Sequence, residues 1–232
     1  MTTDKRIALT DSEEFVKVTD GEMIYYGGDQ EWYQWNDKQK TMVARQGGCA
    51  AVAAANITAY LAKHHSDCAQ LYRYPNHTKE HYIQHMKDMY EYITPRHIGG
   101  ISFGVWPVSM MQKGVEAFAA DRGVNLWGVW SSGSFDREHV TEYIKNALQK
   151  NLPVAMLVGA NILPDIRITR SNQSGWRQNI SMHWMTATEL YVDENEKIMI
   201  KASTWGGWAA FDLERYLDEC IYAGMIYFEL YK

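Results

Sequence analysis

Residues 46–65, QGGCAAVAAANITAYLAKHH, contain the segment that decides the fold. From Ala50 to Lys63 nearly every residue is a strong helix former, so the segment predicts a helix over those positions. Cys49 stands just before that helix or at its first residue, and it follows Gly47 and Gly48. Glycine adopts backbone conformations that other residues avoid and lets the backbone approach a ligand closely. The segment therefore predicts a thiol at a helix N-terminus, beside backbone that a substrate can approach.

The position of Cys49 favours nucleophilic chemistry. The free backbone N–H groups and the positive dipole end of a helix stabilise a thiolate, which is the reactive form of cysteine. The N–H of Cys49 itself is a candidate donor to an oxyanion, and Gln46 is the nearest side-chain amide that can supply a second donor. The alternative interpretation is that Cys49 is a small, buried and inert residue, as free cysteines usually are. Catalysis therefore requires a base elsewhere in the chain.

His183 is the best candidate for that base. It begins the apolar segment HWMTATELYV, residues 183–192, directly after a long polar stretch. A histidine at the start of a strand is placed to point from the edge of a sheet into a cleft. Three other histidines, His77, His81 and His85, share the i, i+4 spacing of one helical face, but no zinc motif accompanies them. The sequence therefore predicts no metal site and no cofactor.

The composition excludes several classes of protein. The 232 residues carry a net charge of −5 without a basic stripe, which argues against nucleic acid as a partner. No apolar run approaches the roughly 18 residues of a membrane helix, and the N-terminus lacks a signal-peptide pattern. Three widely spaced cysteines, Cys49, Cys68 and Cys220, form neither a disulfide framework nor a metal motif. The sequence therefore predicts a cytoplasmic protein without membrane insertion.

The predicted elements come in the order helices first and antiparallel strands second. Beyond the Cys49 helix, helices are predicted at Lys79–Ile93, Val108–Ala120 and Asp136–Lys150, and strands at Phe15–Val18, Met23–Tyr26, Asn125–Trp130, Pro153–Ala160, His183–Val192, Lys197–Ala202 and Met225–Tyr231. The polar segment Asn161–Met182 shows no clear periodicity and is predicted as a long functional loop. This order is typical of an α+β protein, and the lack of a linker predicts one domain over residues 1–232.

The order of Gln46, Cys49, His183 and a polar residue before Trp205-Gly206 resembles that of the papain-like cysteine peptidases. Within them it is similar to the bacterial branch that includes the double-glycine leader peptidases, which process bacteriocins. In that branch a Gly-Cys-Gly-Pro stretch opens an Ala-rich helix, and a later strand carries Asp or Asn shortly before Trp-Gly. This chain has Gly48-Cys49-Ala50-Ala51 and a strand that ends in Ser203-Thr204-Trp205-Gly206. The resemblance covers roughly Gln46–Lys63 and Ser181–Leu217.

The resemblance implies a papain-like fold, in which an N-terminal helical part that carries the Cys helix packs on a C-terminal antiparallel β-sheet. It implies peptide or amide hydrolysis through a thioester, with Cys49 as nucleophile and His183 as base and then acid. Ser203, or alternatively Thr204, takes the place of the family's Asn or Asp, and Gln46 takes the oxyanion role. A hydroxyl can orient the imidazole but brings no negative charge. The family's Gln lies about six residues before the Cys, whereas Gln46 lies three before it.

Several residues are candidates for contact with a peptide or protein substrate. Gly47, Gly48, Trp184 and Trp205 are assigned to substrate binding, although Trp205 can equally shield the histidine or pack in the core. The loop after Asn161 and the aromatic stretch Trp32–Trp35 are expected to line the cleft. The three loop arginines, Arg167, Arg170 and Arg177, would then favour acidic or carboxylate-bearing substrates, although plain solvation is the commoner explanation for an arginine in a loop.

Two further functions stay open at this point. A papain-like protein that binds a peptide or protein partner without turnover fits the missing Asn or Asp, whereas the retained Cys49 and His183 argue against it. A Cys-dependent acyltransferase uses the same pair of residues as a hydrolase. The sequence gives no oligomeric state.

Overall fold

The computed structural model describes residues 5–99, 101–131, 134–160, 162–171, 173–219 and 223–231. Its architecture is mixed α+β, with most helices in the first half of the chain and a large antiparallel sheet formed mainly by the second half. The expected fold class, α+β, is thus confirmed. Cys220 lies outside the described residues.

The helices of the described residues include two that start at aspartate caps. They are α1 (Lys38–Gly47), α2 (Cys49–His64), α3 (Lys79–Tyr90), α4 (Val108–Ala120), α5 (Arg137–Gln149) and α6 (Leu213–Glu219), with short 3₁₀ helices at Gln30–Trp32 and Ser66–Leu71. The carboxylate of Asp37 accepts hydrogen bonds from the first turn of α1, and Asp136 caps α5 in the same way. None of the described helices is long and apolar enough to cross a membrane.

The strands form one large sheet and two small ribbons. They are β1 (Arg6–Ala8), β2 (Lys17–Asp20), β3 (Met23–Tyr26), β4 (Arg96–Ile98), β5 (Ile101–Gly104), β6 (Leu126–Trp130), β7 (Val154–Val158), β8 (Leu163–Thr169), β9 (Trp176–Ile180), β10 (His183–Val192), β11 (Ile198–Thr204), β12 (Gly207–Asp212) and β13 (Gly224–Leu230). The large sheet has the order β6-β13-β7-β10-β11-β12-β8-β9, and β1 pairs with β10. The strands β2–β3 and β4–β5 form the ribbons.

Helix α2 lies at the centre of the molecule. Every residue from Cys49 to Leu61 is buried, and the run of alanines lets the helix lie close against its neighbours. On the sheet side, the hydroxyl of Thr186 in β10 lies 3.5 Å from the carbonyl oxygen of Ala53. The first residues of α2 and of β10 are thereby held on the same side of the core.

The strongly patterned elements have the bounds that the sequence predicts. Helix α4 and strands β3 and β10 agree residue for residue, and α2 is longer than predicted by one residue at each end. Helix α3 stops at Tyr90, earlier than the predicted Ile93. These elements have long apolar runs or clear start signals, so the local sequence is enough to specify their bounds.

The predicted loop Asn161–Met182 is wrong, because most of this segment forms the antiparallel hairpin β8–β9. In β8, buried Leu163, Ile166 and Ile168 face the core. The register shifts between Leu163 and Ile166, where Asp165 has a φ of 54°. This bulge breaks the strict alternation, so the strand shows no clear period in the sequence.

Helix α1 and the ribbon β4–β5 are absent from the prediction. In α1 only Val43, Ala44 and Gly47 are buried, which leaves too little apolar pattern to detect. The ribbon has apolar side chains that face outward, among them Ile98 (74 % exposed) and Ile101 (66 % exposed). Ser102 in β5 packs against Gly47, so the ribbon lies next to the turn that precedes Cys49.

Candidate active site

Cys49 is the first residue of α2 and is only 5 % exposed. Burial raises the pKa of its thiol, although the main-chain N–H groups of Trp184, Ala50 and Cys49 act in the opposite direction. The N–H groups at the helix start therefore stabilise the thiolate, as expected. The free-energy cost of removing the thiolate charge from water is larger than this stabilisation, so the net effect is a raised pKa. At neutral pH the resting form of Cys49 is the thiol.

The turn before Cys49 needs glycine because it packs closely against other parts of the chain. A Cβ at Gly47 would lie 1.9 Å from Oγ of Ser102, and a Cβ at Gly48 would lie 2.5 Å from the carbonyl oxygen of Ala44. Both glycines are buried against this chain's own atoms. The close approach they permit in this structure is between α1, α2 and the β4–β5 ribbon.

His183 is the first residue of β10 and is 6 % exposed. Its Nε2 atom lies 2.8 Å from Oγ1 of Thr204, in the neighbouring strand β11. Burial lowers the pKa of His183 to about 3, so its resting form is the neutral imidazole. In the tautomer in which Nε2–H donates to this hydroxyl, Nδ1 carries the lone pair that a general base needs.

The structure pairs His183 with Thr204 and not with Ser203. Neighbouring residues of a strand point to opposite faces, so only one of the two hydroxyls can meet the imidazole. The hydroxyl of Ser203 donates to the carbonyl oxygen of Tyr26 at 2.7 Å and accepts from Nδ2 of Asn56 at 3.2 Å. Ser203 thus fastens β11 to α2 and β3, and the orienting role passes to Thr204.

Trp205 covers the imidazole of His183. The two rings are stacked, with centroids 4.0 Å apart and planes 14° apart. Trp205 and Gly206 form the two-residue turn between β11 and β12, and both have positive φ values, 46° and 67°. A bulky side chain in this left-handed region costs about 1 kcal/mol, and such turns prefer Asn-Gly. The strained tryptophan is therefore positioned over the His183–Thr204 pair, which it shields from water.

Cys49 and His183 lie in the wall of the same small cavity. Its volume is about 10 Å³, roughly the space of one water molecule. Its lining residues are Gln30, Cys49, Val52, Ala53, Asn56, His183, Trp184, Ser203, Thr204 and Trp205. Within the described part of the chain, no hydrogen bond joins the thiol to the imidazole. The site is narrow and uncharged in this structure, and a substrate must widen the cavity to reach the sulfur.

Gln30, and not Gln46, is the glutamine that lines the cavity. Gln30 begins a 3₁₀ helix, is 9 % exposed, and donates from Nε2 to the carbonyl oxygen of Arg45 at 2.6 Å. Gln46 is exposed, and its Oε1 lies 3.4 Å from the N–H of Ser102 in the ribbon. Gln30 was missed because it is far from Cys49 in the sequence. The adjacent Gly27-Gly28 and the aromatic segment were the only local signals.

The other predicted contact residues are distributed around the site. Trp184 is buried, lines the cavity and donates from Nε1 to the carbonyl oxygen of Val105 at 2.8 Å. Trp32 packs edge-on against Tyr25, and Trp35 stacks on Tyr33, so these rings belong to aromatic clusters outside the cavity lining.

The three arginines have different surroundings. Arg170 pairs with buried Asp29, and Arg177 forms an exposed ion pair with Asp165. Arg167 is exposed on β8. None of the three is among the described residues that line the cavity. The structure therefore offers no contact through which they select acidic substrates at Cys49.

The histidines at i, i+4 spacing do not converge on a common point. His85 is buried and bonds through Nε2 to Thr58 and to the carbonyl oxygen of Ala55, both at 3.1 Å. His81 bonds through Nδ1 to Asn76 at 2.7 Å. Within the described ranges, no group of three or more His, Cys, Asp or Glu residues is arranged to hold a metal ion.

Chemically, the arrangement combines a thiol, an imidazole oriented by a hydroxyl, two candidate oxyanion donors and a covering aromatic ring. Cys68, the other cysteine in the described residues, is also buried, and burial raises its pKa to about 11. No family model matches this chain, and no match is found among curated proteins.

Proposed function

We propose that this protein is a cysteine hydrolase with a papain-like arrangement, which cleaves a peptide or amide bond through a thioester on Cys49. The observation that carries the proposal is that Cys49, at the start of α2, and His183, at the start of β10, line one cavity. Thr204 orients the imidazole through the bond to Nε2. A nucleophile, a base and an orienting group are the parts that thiol hydrolysis requires.

The reaction follows from the protonation states at rest. When the substrate is bound, Nδ1 of His183 takes the thiol proton, and the Cys49 thiolate attacks the carbonyl carbon. The N–H of Cys49 and the amide of Gln30 stabilise the tetrahedral oxyanion. His183 then donates its proton to the leaving amine, and a thioester remains. Water attacks the thioester with His183 as base, and the acid product leaves as the thiol is restored.

The neutral partner of His183 affects the expected rate. The imidazolium that forms during the reaction gains no charge stabilisation from Thr204, because the hydroxyl is uncharged. Burial of His183 disfavours that imidazolium further. We therefore expect slow turnover unless the substrate itself brings polar groups or water into the cavity.

A second candidate function rests on the small size of the cavity. The cavity of about 10 Å³ and the raised pKa of Cys49 fit a papain-like protein that binds a peptide or protein partner without turnover. The same residues could also transfer the acyl group to an amine, as in an acyltransferase. The two free thiols, Cys49 and Cys68, suit a reducing compartment such as the cytoplasm.

The test is acylation of Cys49 by an activated ester, p-nitrophenyl acetate, followed on the Cys49 peptide by mass spectrometry. We expect Cys49 to be acetylated faster than Cys68, and the acetyl group to be lost to water at a rate that His183→Gln lowers. Loss that accelerates with an added amine, with formation of the amide, identifies acyl transfer. If Cys49 is acetylated no faster than Cys68 and is insensitive to His183→Gln, the hydrolase proposal is wrong and the non-catalytic binder is favoured.

A peptide mixture then tests the bond that is cleaved. New N-termini should form with wild-type protein and be absent with Cys49→Ala, while Cys68→Ala should match wild type. Circular dichroism of each variant distinguishes a lost nucleophile from a lost fold.

A further inference from the structure

Arg170 connects the two walls of the Cys49–His183 cavity, although it does not line the cavity itself. It follows the last residue of β8, and its guanidinium lies between Asp29, just before the Gln30 turn, and Trp205, just after Thr204. Its Nη2 lies 2.7 Å from Oδ2 of Asp29 and 2.6 Å from the carbonyl oxygen of Trp205. Nε lies 3.2 Å from the same carbonyl oxygen.

On one side, this contact fixes the turn that carries Gln30. Asp29 is the cap of the 3₁₀ helix Gln30–Trp32, and its Oδ1 accepts from the N–H of Glu31 at 3.0 Å. The side chain of Asp29 is only 4 % exposed, and that of Arg170 is 20 % exposed. A buried carboxylate without its cation would be strongly disfavoured. Burial raises the pKa of Asp29, whereas the hydrogen bond from Glu31 and the charge and hydrogen bond of Arg170 act in the opposite direction. Arg170 therefore favours the charged form of Asp29 in the position in which it caps the Gln30 turn.

On the other side, Arg170 holds the strained turn over His183. Trp205 has a φ of 46°, a conformation that its own side chain disfavours. The guanidinium binds the carbonyl oxygen of this residue through two N–H groups, and the Trp205 ring stacks on the imidazole. The main chain adds a parallel link, because the N–H of Gly206 donates to the carbonyl oxygen of Gly28 at 2.9 Å.

The environment of Arg170 also argues against a role in substrate binding. Its Nη2 and Nε atoms are used inside the protein, and the guanidinium carbon lies 4.5 Å from the centre of the Trp176 ring. The planar guanidinium forms hydrogen bonds along one edge and stacks on an aromatic ring with one face, so it is suited to holding neighbouring groups in fixed positions. This differs from Arg177 on the same hairpin, whose ion pair with Asp165 is exposed on both sides, 62 % and 68 %.

We propose that Arg170 is a positioning residue, which holds Trp205 against His183 and Gln30 against Cys49 through one guanidinium. The effect of Arg170 on catalysis rests on the proposed function. Its effect on the position of Trp205 over His183 can be measured without any substrate. If the guanidinium is removed, the Trp205 turn should relax toward an ordinary conformation and uncover the imidazole.

The experiment compares Arg170→Met with Arg177→Met, which removes an arginine from the same hairpin without touching the site. The readout is the NMR titration of the His183 ring, assigned with His183→Gln. In wild type the pKa of His183 is about 3 because the ring is buried. In Arg170→Met we expect it to rise by at least about one unit as water reaches the ring. Acetylation of Cys49 should fall about 10- to 100-fold because the reacting groups are misplaced.

Two additional variants keep the test decisive. Arg170→Lys restores the charge but not the planar fork, and it should give intermediate changes. Asp29→Asn keeps the Oδ1 acceptor of the cap but places an NH2 group where Oδ2 accepts from Arg170. Because Arg170 still binds the carbonyl oxygen of Trp205, this variant should shift the His183 titration in the same direction by a smaller amount. If Arg170→Met does not fold by circular dichroism, these two variants decide the question.

The outcomes separate this inference from the hydrolase proposal. A His183 titration that stays at the wild-type value in folded Arg170→Met, or moves equally in Arg177→Met, overturns the positioning role. A shifted titration specific to Arg170, in a protein whose wild type never acetylates Cys49, supports the positioning role and rejects the hydrolase.

Discussion

Two buried histidines in this molecule make almost the same contact and have different surroundings. His183 bonds through Nε2 to the hydroxyl of Thr204, and His85 bonds through Nε2 to the hydroxyl of Thr58. Burial lowers the pKa of each to about 3. A buried histidine with a depressed pKa and a threonine partner is therefore not by itself a sign of catalysis.

The difference lies in what else each imidazole meets. Nε2 of His85 also lies 3.1 Å from the carbonyl oxygen of Ala55, which can only accept, so its tautomer is fixed. The His85 ring packs edge-on against Tyr72 and Phe118. The partner of His183 is a hydroxyl, which can donate or accept, and its ring shares a cavity with a thiol. A proton carrier needs a neighbour that can give up a proton, and the shared cavity provides Cys49 as that neighbour for His183.

The largest expected effect is on thiol chemistry. His183→Gln should lower the rate of Cys49 acetylation by about 10³- to 10⁴-fold, because general-base assistance is lost. His85→Gln should leave the rate within about threefold of wild type, since His85 lies outside the cavity lining. The measurement is the rate of mass gain on the Cys49 peptide. Equal losses in the two variants would remove the distinction between the two histidines.

The second effect concerns Gln30, which lines the same cavity as His183, whereas His85 is not among the residues that line it. Gln30→Ala should slow acetylation of Cys49 by about 10²- to 10³-fold, the usual cost of losing one oxyanion donor. Gln46→Ala, its matched control, should show no change because Gln46 is exposed on α1. The initial rates of both variants are compared at the same pH. A stronger loss in Gln46→Ala would restore Gln46 to the oxyanion role.

The third effect should be the same for both histidines. Each binds a proton in the unfolded chain near pH 6.5 but in the folded protein only near pH 3. The contribution to stability is therefore full above about pH 6.5 and is lost as the pH falls toward 3. Between pH 7 and pH 5, each histidine should lower the free energy of unfolding by about 2 kcal/mol. Urea unfolding at the two pH values measures this loss.

The matching controls for that measurement are the glutamine variants. His183→Gln and His85→Gln should each remove about half of the pH dependence that these two residues cause. If only one variant reduces the pH dependence, the other histidine is not buried in its neutral form.

The smallest effect separates the two threonines. Thr204→Val leaves Nε2 of His183 without its hydrogen-bond partner in the described structure and should destabilise the protein by about 1–3 kcal/mol. Thr58→Val should cost less, about 1 kcal/mol or below, because the carbonyl oxygen of Ala55 still accepts from His85. Thermal and urea unfolding at pH 7 give both values. A larger cost at Thr58 would contradict the assignment of hydrogen bonds.

Sequence reasoning found the elements that carry the site but not their pairing. The Ala-rich helix and the strand that begins at His183 have unambiguous patterns, and both were predicted within one residue. The hairpin β8–β9 was taken for a loop because a bulge at Asp165 interrupts its alternation. Its arginines were then interpreted either as solvated or as contacts to an acidic substrate, whereas Arg170 lies between Asp29 and Trp205.

Of the candidate site, the sequence indicated Cys49 and His183, which line one cavity, but not the residues that surround them. Cys49 and His183 are the first residues of α2 and β10, and the start of a helix or strand can be recognised from the sequence. The choice between Ser203 and Thr204 depends on which face of β11 meets His183, and Gln30 reaches the cavity only through the packing of its turn. Both depend on contacts between residues far apart in the chain.

The sequence by itself determined where the helices and most strands form, because local propensity and hydrophobic period act over a few residues. It also determined that a thiol and an imidazole begin two such elements. Only the tertiary structure decided the protonation states, because these depend on burial, which raises the pKa of Cys49 and lowers that of His183. The tertiary structure also decided which groups surround Cys49 and His183, namely the hydroxyl of Thr204, the amide of Gln30 and the guanidinium of Arg170. Long-range packing and strand register place these groups, and the local sequence encodes neither the packing nor the register.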